Sequence, residues 1–318
     1  MTAQDLPFDP AFAQWLADYR AEQRLPDAFA GLVGRLHQPL AAVIAQAAAS
    51  RGGLTVVGLC GPQGSGKTTM VQVLARLLYD HGLRVAVLSL DDLYHTRAER
   101  QRLAAEVHPL FATRGPPGTH DVALGAELIA SLAAGLPTAL PRFDKARDDR
   151  RPHSEWPQAE PGIDVLLFEG WCVGARPEDE AALNEPINTL EREEDPAAIW
   201  RRHVNAALAG DYAALFARID LLALMRAPSF ETVRGWRLEQ EAKLREATGA
   251  QPGSRVMSPA EVLRFMQFYE RTTRHIDREM PARADIVVTL DAAREVREWR
   301  GLSTFTPGPI PMAQFGGN

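Results

Sequence analysis

A glycine-rich stretch near the start of the chain has the residue types and spacing of a phosphate-binding loop. Residues 61–70 read GPQGSGKTTM and fit the pattern G-x-x-x-x-G-K-[ST]. Glycines let successive backbone N–H groups converge on phosphate oxygens. Lys67 can pair with the β- and γ-phosphates, and the hydroxyl of Thr68 can contact Mg²⁺. Expected nucleotide contacts come from Gly61, Pro62, Gln63, Gly64, Ser65, Gly66, Lys67, Thr68 and Thr69.

A chance match in a glycine-rich turn is the alternative to a functional loop. The surrounding sequence argues against it. The apolar run LTVVGLC precedes the loop, and Val71, Leu74, Leu77 and Leu78 form one helical face after it. A strand followed by a helix is the context that a phosphate loop needs.

Three acidic residues follow two further apolar runs. Asp91 and Asp92 end residues 85–92, and Glu169 closes residues 164–170. Ligands of doubly wound sheets bind beyond the carboxyl ends of the strands. Glu169 could hold Mg²⁺ directly or through water, while Asp91 could contact the metal or accept a proton from a hydroxyl. The alternatives are a turn residue for Glu169 and an N-cap for Asp91. Asp92 is equally compatible with capping and with metal binding.

The elements that must position these residues are five short apolar runs separated by helical patterns. They are residues 54–60, 85–91, 164–170, 220–226 and 285–291. Each run is almost continuously apolar, as expected for strands covered on both faces. The connections are long enough for crossovers. The sequence therefore predicts an α/β fold with a doubly wound, mainly parallel, five-stranded sheet.

The remaining segments are assigned by their periodicity and turn content. Residues 1–50 show helical spacing and are predicted to be an N-terminal extension packed on the core. Residues 51–300 form the main domain, and residues 301–318 form a C-terminal tail. Within the domain, residues 95–160 are a long, turn-rich connection of the kind that usually has a function.

Composition excludes several classes of protein. The net charge is −6, from 41 acidic and 35 basic residues, which argues against a general nucleic-acid binder. The chain has no run of 18 apolar residues and no secretory leader pattern, so we expect no membrane partner and a cytoplasmic location. Cys60 and Cys172 are expected to be buried free thiols. Oligomeric state is left open.

Three of these segments together resemble a known group of enzymes. SLDDLY (89–94), GPQGSGKT (61–68) and FEGW (168–171) are similar to the P-loop kinases of the uridine kinase, phosphoribulokinase and pantothenate kinase group. The resemblance implies that Asp91 is the catalytic base and that Glu169 is the acidic residue at the metal.

A closer resemblance is to the plant-type D-glycerate 3-kinases and their bacterial and fungal relatives. It is carried by RGPPGTHD (114–121), LPRFDKA (140–146), FEGW (168–171) and WRLEQE (236–241). Leu93 replaces a phenylalanine common in relatives, and Phe143 and Ala146 depart from the pattern PRYDKS.

The resemblance implies transfer of the γ-phosphoryl of ATP to a hydroxyl of D-glycerate, giving 3-phosphoglycerate. Such a small anion needs cationic donors near the base, and residues 95–160 would supply them. The alternative for GPPGTHD is a structural turn, with Thr119 or Asp121 capping helix 122–134. Expected substrate-binding residues are Asp92, Tyr94, Arg114, His120, Asp121, Arg142 and Lys145.

A lid is expected at residues 227–257, where related kinases carry an arginine that closes over the transferring phosphate. The resemblance implies that Arg237 has this catalytic role beside Lys67 and Asp91. The alternative is an ordinary surface helix in which Arg237 pairs with Glu241 at i,i+4.

Two other functions remain open on sequence alone. One is a kinase of the same group that acts on a nucleoside, pantothenate or another small acid. The other is a non-catalytic, ATP-binding regulatory protein. The retention of Lys67, Asp91 and Glu169 together favours an enzyme.

Overall fold

The computed structural model describes residues 8–248 and 256–301. Within these ranges, six strands form the main sheet in the order β6-β5-β4-β1-β3-β2. Their bounds are β1 Thr55–Cys60, β2 Val85–Ser89, β3 Val165–Gly170, β4 Leu221–Arg226, β5 Ile286–Leu290 and β6 Val296–Arg300. The first five strands are parallel, which confirms the predicted α/β sheet.

The prediction of five strands was wrong by one. Strand β6 pairs antiparallel with β5 at the edge of the sheet. Its sequence, VREWR, is rich in charge, and Trp299 is exposed. A strand with no continuously apolar face lacks the pattern by which the other five were found. Charged residues on an edge strand also discourage pairing with a second chain.

The helices lie on both sides of the sheet. Helix α2 continues through a π-helical turn at Val33–His37 into α3. The bounds are α1 Pro10–Gln23, α2 Phe29–Leu32, α3 Gln38–Arg51, α4 Lys67–Asp80, α5 Arg97–Glu106, α6 Val122–Ala133, α7 Thr189–Glu194, α8 Ile199–Ala209, α9 Asp211–Phe216, α10 Phe230–Thr248 and α11 Pro259–Glu279.

Alternate residues of the central strand face two separate cores. Val57 packs in the core that contains α1, α3, α4 and α10, whereas Val56 packs in the core that contains α6, α8 and α9; helix α11 contributes to both cores. Phe12 and Val33 share the first of these cores with Leu74 of α4. The helices before β1 are therefore packed on the sheet.

The structure also bears on the predicted cysteines, membrane spans, lid and tail. Cys60 and Cys172 are buried and free, as predicted. No helix of the described residues has the length and apolarity needed to cross a membrane. Residues 249–255 of the expected lid, residues 302–318 of the expected tail and residues 1–7 lie outside the described part of the chain.

The long connection after β2 is ordered and is tied together by a buried arginine. It contains α5, α6 and two short antiparallel pairs, 138–139 with 158–159 and 143–144 with 149–150. Arg100 is 1% exposed and donates to the carbonyls of His95, Ala112 and Asp148. A single side chain thus joins three separate parts of the connection.

Candidate active site

The phosphate-binding loop connects β1 to α4, and helix α10 packs directly on it. Gly64 and Gly66 adopt left-handed φ values of 76° and 87°, which glycine tolerates without strain. A side chain at Gly64 would place its Cβ 2.8 Å from the Cβ of Trp236. Arg294, which follows β5, donates from Nε to the Gly64 carbonyl at 2.8 Å. The loop is therefore held from α10 and from the end of β5.

Several buried polar atoms at this end of the sheet have no hydrogen-bond partner among the described residues. They are Gln63 Oε1, Ser65 Oγ, His120 Nε2 and Glu169 Oε2. Buried polar atoms are normally paired, because leaving them unpaired costs free energy. Their concentration at the carboxyl ends of β1 and β3 indicates a site shaped for a polar ligand.

Glu169 is the next-to-last residue of β3, beside the loop, and is 6% exposed. Burial raises the pKa of its carboxyl group, and the nearby Lys67 ammonium opposes that shift. The described residues contain no cluster of three or more His, Cys, Asp or Glu side chains able to hold a metal. Mg²⁺ in phosphoryl-transfer sites needs only one or two protein carboxylates, with phosphates and water as its other ligands. Glu169 and the Thr68 hydroxyl fit that requirement.

Asp91 lies at the end of β2 in a short 3₁₀ turn, Leu90–Leu93. Its two carboxylate oxygens accept from the hydroxyl of Tyr94 at 3.0 Å and from the ammonium of Lys145 at 2.7 Å. Burial raises the pKa of Asp91, but Lys145 and Lys67 outweigh it and hold that pKa well below its usual range. The carboxyl group is therefore ionised.

The alternative assignment of Asp91 as a cap is not what the structure shows. Ser89 caps the turn, since its Oγ accepts from the backbone N–H of Asp91 at 3.3 Å. Both oxygens of Asp91 have partners in this structure, and its direct contact with Mg²⁺ stays a prediction.

His120 joins this group from the loop before α6. Its backbone forms a bridge with Tyr94, and the two rings stack with centroids 4.4 Å apart. His120 is 1% exposed, and burial lowers its pKa to about 3. The imidazole is therefore neutral at physiological pH.

Three expected substrate-binding residues instead hold the connection in place. Asp92 accepts from the backbone N–H of Phe143 at 2.9 Å and lies 3.5 Å from Nη1 of Arg142. Asp121 caps α6 through Leu124 N at 3.0 Å, and its other oxygen pairs with Arg150 at 3.3 Å. The capping alternative thus describes Asp121. Asp92, Asp121 and Arg142 all have partners within the protein, and their contact with the acceptor stays a prediction.

Arg114 lies close to the residues around Asp91, but its guanidinium is already in an ion pair. Its guanidinium forms a short ion pair with Asp148 and lies over the ring of Phe143, 5.7 Å from the centroid. The Arg114 carbonyl accepts from the hydroxyl of Tyr269 at 3.3 Å.

The sequence does not indicate that Tyr269 contacts the loop that carries Arg114. At Gly115, where φ is 133°, a Cβ would lie 2.0 Å from the Tyr269 oxygen. Trp171 stacks edge-on against the Tyr269 ring at 4.8 Å and donates to the Gly115 carbonyl at 3.1 Å. In the sequence Tyr269 belongs to the apolar face of α11, together with Val262 and Met266, and nothing in the spacing distinguishes it from them.

Arg237 lies on α10, one residue beyond the tryptophan that touches the phosphate loop. Its guanidinium pairs with Glu241 at 2.6 Å and lies 5.9 Å from the Phe265 ring centroid. Glu241 is buried and also accepts from the backbone N–H of Met257 at 2.7 Å. The i,i+4 pair of the alternative interpretation is thus present, but it lies against α11 and is not at an open surface.

A cavity of about 190 Å³ lies beside the start of the phosphate loop. Gly61 and Pro62 form one side, and the end of β4 and the last turns of α11 form the others. Trp171 lines this cavity, so the same side chain borders both the cavity and the loop that carries Arg114.

Known proteins resemble this chain in sequence and in structure. Residues 34–96 match the family model described as methylmalonyl Co-A mutase-associated GTPase MeaB. That span covers the phosphate loop and Asp91 but is less than half of the chain.

Two relatives match over a longer span. The uncharacterized kinase mug58 of Schizosaccharomyces pombe is 34% identical over 224 residues, which cover 67% of this chain and 78% of that protein. The chloroplastic D-glycerate 3-kinase of Arabidopsis thaliana is 32% identical over 225 residues. The match covers 67% of this chain but 46% of the plant protein.

A solved structure extends the comparison to nearly the whole described chain. The D-glycerate 3-kinase of Cryptococcus neoformans superimposes with a TM-score of 0.69 at 26% identity, covering 83% of this chain and 99% of that one. The chain therefore belongs to the D-glycerate 3-kinase family of P-loop kinases, which includes these fungal and plant proteins.

Proposed function

We propose that this kinase transfers the γ-phosphoryl of ATP to the 3-hydroxyl of D-glycerate, giving 3-phosphoglycerate. The observation that carries the proposal is the position of Asp91 and its hydrogen-bond partners beside the phosphate loop. An ionised carboxylate there has a lysine ammonium at 2.7 Å, and a small anionic acceptor fits that arrangement.

On the nucleotide side, the loop amides and Lys67 would bind the phosphates. Lys67 has no hydrogen-bond or ion-pair partner among the described residues, and it begins α4, whose first N–H groups also favour an anion. Glu169 and Thr68 would hold Mg²⁺, which neutralises charge on the transferring phosphoryl group.

On the acceptor side, Lys145 would bind the carboxylate of glycerate. In the structure this ammonium is paired with Asp91, and the ion pair raises the pKa of Lys145. An incoming carboxylate competes for Lys145 and so weakens its hold on Asp91. The basicity of Asp91 then rises when the hydroxyl to be deprotonated is present.

The remaining assignments extend this proposal to other parts of the chain. Residues 95–160 would form the acceptor-binding insertion of a kinase domain spanning 51–300, with residues 1–50 as a helical extension. Tyr94, just before that insertion, and Arg114 and His120 within it would line the acceptor site around Asp91. Residues 227–257 would act as the lid, and Arg237 would leave Glu241 to contact the phosphoryl group. A cytoplasmic location stays a prediction from the sequence.

Phosphorus NMR of the reaction with ATP and Mg²⁺ tests the proposal. Separate reactions contain D-glycerate, L-glycerate, uridine or pantothenate. With D-glycerate, the proton-coupled product signal should be a triplet, because the phosphate of 3-phosphoglycerate is attached to a CH₂ group. A doublet would indicate transfer to the 2-hydroxyl.

Two outcomes would overturn the proposed substrate. One is phosphorylation of uridine or pantothenate with none of glycerate. The other is release of inorganic phosphate alone, at a rate that D-glycerate does not change.

A further inference from the structure

The imidazole of His120 is held by a tyrosine from a different part of the chain. Nδ1 of His120 lies 2.6 Å from the hydroxyl oxygen of Tyr212, the second residue of α9. Tyr212 is 1% exposed. On the other side, the His120 ring stacks on Tyr94, whose hydroxyl donates to Asp91.

The other hydrogen bonds of Tyr212 determine which ring nitrogen carries the proton. Its oxygen accepts from the backbone N–H of Gly118 at 3.0 Å and from the backbone N–H of His120 at 3.3 Å. A phenolic hydroxyl has one proton to donate and two lone pairs to accept with. Since both lone pairs are used, the Tyr212 proton must point to Nδ1 of His120.

Nδ1 is therefore an acceptor, and a neutral imidazole must then carry its proton on Nε2. An imidazolium would bring a third N–H donor to an oxygen that has two lone pairs, so this geometry disfavours it. The nearby Asp91 carboxylate also favours a proton on the ring nitrogen that Tyr212 leaves free.

Nε2 of His120 is buried and has no hydrogen-bond partner among the described residues. A buried N–H donor without a partner costs free energy, and the cost is recovered if a ligand supplies an oxygen. We propose that Tyr212 is a positioning residue that fixes His120 as its Nε2–H tautomer, so that His120 presents one neutral donor to an oxygen of the phosphoryl acceptor.

The inference rests on the proposed function only in naming the ligand as the acceptor. For Nε2 of His120 to donate a hydrogen bond, the phosphoryl acceptor must carry an oxygen that lies beside Nε2. His120 is thus a determinant of specificity. His120 does not compete with Asp91 for the proton of the acceptor hydroxyl, because the lone pair on its Nδ1 already accepts the hydrogen bond from Tyr212.

The tautomer can be measured without any activity. Long-range ¹H–¹⁵N correlation spectra of ¹⁵N-histidine-labelled protein separate protonated from unprotonated ring nitrogens, and His120→Gln assigns the signals by their loss. We expect protonated Nε2 and unprotonated Nδ1 at pH 7. A protonated Nδ1, alone or together with Nε2, would overturn the inference.

The kinetics of two His120 variants then test whether the Nε2 donor binds the phosphoryl acceptor. His120→Gln keeps an amide N–H near the position of Nε2, whereas His120→Asn keeps one near Nδ1. We expect the acceptor KM to rise about 10- to 100-fold in His120→Asn and only a few-fold in His120→Gln. The KM for ATP should change little in both. Equal effects of the two variants would contradict the role of Nε2.

Tyr212→Phe tests the positioning residue, with Tyr79→Phe as the control because Tyr79 is 70% exposed. Tyr212→Phe should give a mixture of His120 tautomers and a higher acceptor KM, and Tyr79→Phe should give neither. A pure Nε2–H signal and unchanged KM in Tyr212→Phe would refute the role of Tyr212. If Tyr212→Phe does not fold, the wild-type spectrum and the His120 variants still decide.

The NMR result also separates this inference from the proposed substrate. Nε2–H in a protein that phosphorylates uridine and not glycerate would support the tautomer while refuting glycerate. Nδ1–H in a protein that phosphorylates D-glycerate would do the reverse.

Discussion

The charged groups of Lys145 and Asp91 lie 2.7 Å apart although 54 residues separate them in the chain. The hairpin at 143–150 brings the lysine back over the end of β2. This contact keeps Asp91 ionised and also makes it a weak base.

Asp91→Asn should lower phosphoryl transfer by about 10²- to 10⁴-fold, because the amide cannot accept the proton of the acceptor hydroxyl. Nucleotide affinity should be preserved, since the phosphate loop is unchanged. Steady-state rates and calorimetric titration with ATP measure the two properties. Asp18→Asn, at an exposed position on α1, is the control and should retain full activity. Unchanged transfer in Asp91→Asn would show that Asp91 only supports its neighbours.

Lys145→Met should raise the pKa of Asp91, because the cation that lowers this pKa is lost. Transfer needs ionised Asp91, so the acid limb of kcat/KM, which reports the free enzyme, should move to higher pH. The acceptor KM should also rise about tenfold or more, from the loss of one charged contact. Profiles of kcat and KM against pH test both effects, with Arg218→Met at an exposed site as the control. An acid limb at the wild-type position would contradict the link between Lys145 and Asp91.

Arg237→Gln should lower kcat about a hundredfold or more if its guanidinium stabilises the transferring phosphoryl group. Arg234→Gln, one turn earlier on α10 and exposed, should change kcat less than about twofold. Arg237 also neutralises the buried Glu241, so the melting temperature of each variant must be measured at the same time. Loss of stability with unchanged kcat would assign Arg237 to the ion pair alone.

His37 should make the protein less stable as the pH falls below neutral. Burial lowers its folded-state pKa from 6.5 to about 3, so between these values the unfolded chain binds the extra proton. By linkage, its contribution to stability is present above pH 6.5 and is lost as the pH falls towards 3. The loss from this residue is about 1 kcal/mol between pH 7 and pH 5.5.

Urea unfolding of wild type and His37→Leu at both pH values measures this contribution. The pH dependence of the unfolding free energy should be smaller in His37→Leu by the amount given above. His81→Gln, at an exposed histidine, should show the wild-type dependence. The same dependence in His37→Leu as in wild type would be inconsistent with a neutral buried His37.

The sequence predicts those parts of the molecule whose signal is local. The phosphate loop and the five parallel strands depend on neighbouring residues, so pattern and period were sufficient to find them. Strand β6 was not predicted, because its sequence is charged and exposed. It pairs only with β5, and its place in the sheet depends on where β5 ends.

Partners distant in the sequence could not be predicted in the same way. Asp92 and Asp121 have side chains able to bind hydroxyls of an acceptor, and Arg142 has one able to bind its carboxylate, yet each is paired with a residue distant in the sequence. Arg150 donates to the Tyr94 carbonyl and pairs with Asp121, and no residue near it in the sequence indicates either contact. Tyr212 and Tyr269 reach the site from helices whose apolar spacing gives no sign of that contact.

The contact between Gly64 and Trp236 has a consequence for how the two substrates are bound. Helix α10 touches the nucleotide loop at this point, and Arg237 of the same helix lies over Phe265 of α11. Helix α11 in turn presents Tyr269 to the backbone of Arg114. A continuous path of packed groups thus runs from the phosphate loop to the backbone of Arg114, and any coupling that it transmits must change the affinities for the two substrates by the same factor.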